Sequence, residues 1–122
     1  MHSSSFRFLR QLAGHEPLVL RVRGGCMTPQ LVEGAEVSVR RRSVYLPGDV
    51  LVFWTPAGDL AAHRLLGWRR QGFVTRGDGC ETHDAPVRRE AIVGAVMTRV
   101  PLRARVRALA AYARIVARRL VR

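Results

Sequence analysis

The chain has 122 residues, 48% of them hydrophobic, enough for one domain with a core and too few for two ordinary ones. Its 21 Lys and Arg residues are all arginine, and against 9 acidic residues they give a formal charge of +12, which predicts attraction to anionic partners. No apolar run approaches the roughly 18 residues of a membrane-spanning helix, and the 2 cysteines are too few for a disulfide framework.

In chain order, Ser3–Ser5 supply helix-capping hydroxyls ahead of Phe6, Leu9, Leu12 and Ala13, which predicts a short amphipathic helix over residues 3–13. Met1–Gly14 is too short and too interrupted by Arg7 and Arg10 for a secretory signal, so a cytoplasmic protein is expected. From Leu18 to Val100 the chain alternates apolar and polar residues in short runs. Strands are predicted over Leu18–Arg23, Glu36–Arg41, Asp49–Thr55, Leu60–Trp68, Gly72–Arg76 and Ala91–Val100. Between them lie turn formers such as Pro47-Gly48-Asp49, Pro56-Ala57-Gly58-Asp59 and Gly77-Asp78-Gly79. The expected architecture is a single mostly β domain over residues 1–122, with a β body over about 18–100 and a helix at each end.

From Leu102 to Arg122 the period becomes helical. Val106, Leu109, Ala110, Ala113, Val116, Ala117 and Leu120 fall on one arc, with Arg103, Arg107, Arg114, Arg118 and Arg122 beside it. Such a basic amphipathic helix suits packing on the β body, dimerisation, or an anionic membrane surface.

The first two predicted strands flank Gly24-Gly25-Cys26-Met27-Thr28-Pro29. The glycines allow backbone angles that a side chain forbids, and Pro29 fixes one dihedral, so Cys26 is expected on a kinked, locally rigid loop able to present a thiol. His63 is a candidate base or a core histidine, and Asp84 a candidate partner or a turn cap. Asp78 reads as a turn former. Trp54, Trp68 and Phe53 are expected in the core or lining a cleft. Cys80-x-x-His83, with Cys26 and His63, offers a weak zinc-ligand pattern.

Read together, GGCMTPQLVEG, LPGDVLVF, LAAHRLLG, FVTRGDGCETHD and IVGAV resemble, in order, the motifs of type I signal peptidases and their self-cleaving repressor relatives, over roughly residues 18–98. The resemblance is closest to the endoplasmic-reticulum and archaeal type, whose His-Arg pair is matched by His63-Arg64. A chain without lysine cannot build the lysine base of most bacterial members. Thr75-Arg76-Gly77-Asp78 matches the family's Thr-Lys-Gly-Asp turn, and Asp84 falls where that type keeps the aspartate that orients its histidine.

The resemblance implies a signal-peptidase-like β body and a peptidase in which Cys26 is nucleophile, His63 base and Asp84 its orienting carboxylate. Gly25, Met27, Pro29, Arg64 and Asp78 would shape the site or bind substrate. It implies no cofactor, and a leader or propeptide substrate with a small residue before the cut. The family has serine where Cys26 stands, which leaves open a natural thiol nucleophile, an engineered replacement or lost activity. Gly34-Ala35 stands where many members have Gly-Asp, Gly24 offers the oxyanion no hydroxyl, and the family's N-terminal membrane anchor has no counterpart. The rival expectation is an inactive member of the fold that binds a peptide, a membrane or nucleic acid. No nucleic-acid reading motif is visible, and the oligomeric state stays open.

Overall fold

The computed structural model describes residues 17–21 and 34–121. Among the described residues the chain is mostly β: one antiparallel sheet followed by one α-helix. The strands are β1 (Leu18–Arg21), β2 (Glu36–Arg40), β3 (Val50–Trp54), β4 (Leu60–Arg69), β5 (Gly72–Arg76) and β6 (Ile92–Val96), and the helix is α1 (Leu102–Val121). The predicted helix over 3–13 and the turn carrying Gly25, Cys26, Met27 and Pro29 lie outside the described residues.

Spatially the strands run β1-β2-β6-β3-β4-β5, so β6 and β3 are the central pair. Their sequences, IVGAV and VLVFW, are almost wholly apolar because both faces of the sheet are covered there. Alternation along β3 sends Val50 and Val52 to one face and Leu51 and Phe53 to the other, and each pair anchors its own apolar cluster. The predicted run Ala91–Val100 stops short at Val96, where the Thr98 amide turns back onto the Val96 carbonyl. Pro101 then opens α1. Its fixed φ suits the first turn, and its carbonyl accepts from the amides of Ala104 and Arg105.

The helix packs with a different arc from the one its hydropathy suggests. Ala108 and Ala111 are buried against Leu66 and Val74, with Tyr112 and Ile115 beside them. The predicted arc instead carries exposed Val106, Leu109 and Leu120. Backbone fit decides this, since alanines let the helix lie close to the sheet and long side chains hold its edges. Arg105 donates to the Pro47 carbonyl at 3.0 Å and pairs with the buried Asp49 at 3.1 Å, while the Tyr112 hydroxyl donates to the Trp68 carbonyl at 2.6 Å. Trp68, expected in the core or lining a cleft, is 53% exposed and borders a shallow surface pocket with Val44, Tyr45 and Phe73.

Gly67 marks a tight approach of the helix to the sheet. A Cβ there would come within 2.6 Å of the Tyr112 ring. Gly67→Ala is therefore expected to lower unfolding free energy by about 1–3 kcal/mol through overpacking. Denaturant melts should show most of that loss vanishing in a Tyr112→Ala background.

Candidate active site

The adjacent residues His63 and Arg64 face opposite sides of the sheet, and the register fixes which is which. His63 lies opposite Leu51 and shares its face with Phe53, while Arg64 lies opposite Val50 on the other face. One dipeptide thus serves two environments.

On the first face, His63 Nδ1 lies 2.6 Å from Asp84 Oδ2, and the Thr75 hydroxyl donates to the same oxygen at 2.7 Å. A carboxylate only accepts, so the imidazole proton on this side sits on Nδ1, and in the neutral ring the lone pair is on Nε2. Nε2 has no hydrogen-bond partner among the described residues. The Phe53 ring meets the imidazole edge-on, with centroids 5.9 Å apart, and limits the ring's freedom to turn. Both polar side chains are largely covered yet reach solvent, at 15% exposure for His63 and 29% for Asp84.

Asp84 reaches this position on a segment without regular strand or helix, which backbone bonds stitch to β5. The Asp84 amide donates to the Thr75 carbonyl at 2.8 Å, and Phe73 and Val87 exchange amide–carbonyl bonds at 2.7 and 2.8 Å. Gly72, at φ +144, makes that exchange possible, because a Cβ there would collide with the Val87 carbonyl. Burial by itself would raise the Asp84 carboxyl, but hydrogen bonds from His63 and Thr75, with the nearby His63 and His83 rings, outweigh it and hold the group below its ordinary 3.8. The carboxylate is therefore charged at neutral pH.

The pair opens onto a cleft of about 570 Å³ walled by Phe53, Trp54, Ala61, Pro86, Val87 and Ala91. It is mostly apolar, and its polar lining residues are Thr55, His63, Asp84 and Arg88. An apolar cleft with a few polar groups is the usual composition of a binding pocket.

On the opposite face Arg64 is buried and paired. Its guanidinium donates to Asp78 through Nε at 2.8 Å and Nη2 at 2.7 Å, and to the Gly48 carbonyl through Nη1 at 2.7 Å. Bidentate pairing fixes the plane of both groups, so Asp78 and the turn at Gly48 are tied to β4. Arg64 and Asp78, expected to shape the site or bind substrate, pair with each other and link the turn before β3 and the turn after β5 to β4. Asp49, read from the sequence as part of the Pro47-Gly48-Asp49 turn and of LPGDVLVF, joins the same turn to α1 by accepting from the Leu46 amide at 2.8 Å and from Arg105.

Among the candidate catalytic residues, the structure thus unites His63 with Asp84, while Cys26 lies outside the described residues. Thr75 was read only as part of a turn motif. Its complete burial was the missing signal, since a buried hydroxyl needs a partner. Among the described residues no three His, Cys, Asp or Glu side chains lie close enough to hold a metal ion. Neither protein-family models nor curated proteins give a match to this chain.

Because the folded-state pKa of Asp84 lies below the ordinary value of 3.8, its contribution to stability is present above that value and is lost as pH falls through the folded-state pKa. A carbon-detected titration of the Asp84 carboxyl should show a midpoint below 3.8. Thr75→Val should move that midpoint upward, and His63→Ala should move it further. A midpoint indifferent to both substitutions contradicts the hydrogen-bonded arrangement.

Proposed function

We propose that the chain is a signal-peptidase-like endopeptidase in which Cys26 attacks a peptide carbonyl and His63, oriented by Asp84, carries the proton. The observation that supports this most is the Asp84 carboxylate bound to His63 Nδ1 beside an apolar cleft, with Nε2 left as the basic nitrogen. The order of motifs shared with type I signal peptidases supports the assignment of the nucleophile to Cys26.

Chain length permits the encounter. Cys26 follows the last residue of β1 by 5 residues, an extended reach of about 17 Å. Four strand spacings, about 19 Å, separate β1 from β4, and the register sets Arg21 about 13 Å along the strand from His63, so the gap of about 23 Å is spanned by the segment and the two side chains together. The segment's ends are anchored, because Arg21 and Glu36 pair across β1 and β2 and their side chains meet at 3.5 Å.

The chemistry follows the standard acyl-transfer sequence. The Cys26 sulfur bonds to the carbonyl carbon as its proton passes to His63 Nε2, and the resulting oxyanion is stabilised by backbone N–H groups of the Cys26 turn. The C–N bond then breaks, and His63 returns the proton to the departing amine. Water attacks the thioester, gives a proton to His63, and the thiol is restored as the acid product leaves. Asp84 stays ionised throughout and stabilises the transient imidazolium. The substrate class is a leader or propeptide with a small residue before the scissile bond.

The test is cleavage of a defined peptide library varied at one central position, read by mass spectrometry, with acid quenching to trap the thioester. Cuts after Ala, Gly or Ser are expected. Cys26→Ala should abolish them, and His63→Ala should slow them about 10²–10⁴-fold. Cleavage that survives Cys26→Ala, or peptide binding without any cleavage, contradicts the proposal.

A further inference from the structure

The helix α1 presents three faces, of which the sheet uses only one. Ala104, Arg105, Ala108, Ala111, Tyr112 and Ile115 turn toward the body, in whole or in part. About a third of a turn away, Leu102, Val106, Leu109, Ala113, Ala117 and Leu120 form a second stripe at alternating helical spacing. This stripe is open to solvent, with Leu102 77%, Val106 55%, Leu109 52% and Leu120 82% exposed. It runs nearly the full length of the helix, about 27 Å. Isolated exposed leucines need no explanation, but a continuous helical stripe marks a surface that is covered in use.

The third face identifies the cover. Arg103, Arg107, Arg114 and Arg118 line one border of the stripe, and none has an acidic partner among the described residues. No Asp or Glu occurs after Glu90. A second copy packed stripe to stripe would bring two unrelieved arginine rows together. Nucleic acid would neutralise the arginines but leave the leucines wet. An anionic lipid surface satisfies both, accepting the apolar residues below the headgroups while the arginines reach the phosphates.

We infer that α1 docks the protein on anionic lipid bilayers, lying in the plane of the surface with Leu102, Val106, Leu109 and Leu120 inserted. Arg103, Arg107, Arg114 and Arg118 pair with headgroups along one side. The face that holds the helix to β4 is undisturbed, so docking requires no unfolding. This inference is independent of the peptidase chemistry.

The experiment is cosedimentation with vesicles of phosphatidylcholine alone and of phosphatidylcholine with about 30 mol% phosphatidylglycerol, at low and high salt. Binding is expected only to the anionic vesicles and weaker at high salt. Changing the four arginines to Gln should weaken partition about a hundredfold or more, and changing Leu102, Val106, Leu109 and Leu120 to Ser should abolish it. All eight positions lie on the two unpacked faces, so thermal melts should show both variants folded. The inference is overturned if the intact chain ignores anionic vesicles, or if neutral vesicles bind equally well. It is also overturned if the Ser variant binds as before, or if the stripe instead holds a dimer that the Ser variant dissociates.

Discussion

A single carboxylate oxygen organises the face of the sheet that carries the cleft. Asp84 Oδ2 receives both the imidazole N–H of His63 and the hydroxyl of Thr75, while the Asp84 amide bonds the Thr75 carbonyl. Three segments therefore meet at one residue: β4, β5 and the irregular stretch that walls the cleft. Each hydrogen bond to the charged oxygen is stronger than a neutral one, and together they overcome the desolvation of a half-buried carboxylate. Losing Asp84 would release the tautomer of His63, the buried Thr75 hydroxyl and the cleft wall at once.

The other face is organised by arginine. Arg64 and Arg105 both reach the turn before β3, one bonding the Gly48 carbonyl and the other the Pro47 carbonyl, and each adds a carboxylate of its own, Asp78 or Asp49. The planar guanidinium makes such multiple, directed contacts where an ammonium offers a point charge. The two-residue period of the strand separates this structural apparatus from the imidazole next to it in sequence. The same division recurs on α1, where Arg105 is tied into the fold and Arg103 and Arg107, two residues before and after it in sequence, lie on the opposite side of the helix and face outward.

Much of this was legible in the sequence, and the exceptions have physical causes. The strands announced themselves because Val, Ile, Leu and Phe alternate between Gly- and Pro-containing turns, and the structure keeps all six predicted runs with ends shifted by a few residues. Asp84 was found through motif order, not through local pattern, since nothing about a lone aspartate after His83 indicates that it folds back on β5. The helix was placed correctly, but its packed face was not. Hydropathy favours the arc with Leu109 and Leu120, whereas contact with the sheet selects small residues at Ala108 and Ala111 and a glycine opposite Tyr112. Closeness of approach, which depends on both partners, cannot be read from one helix alone.

The account stands on the coupling of His63 to the thiol of Cys26. Its most direct measurement is the rate of Cys26 alkylation against pH, in a chain carrying Cys80→Ser so that one thiol reports, with and without His63→Ala. Coupling predicts reaction well below the value near 8.5 of an ordinary thiol, and a return toward that value when His63 is removed. An ordinary or buried thiol profile in both chains would contradict it.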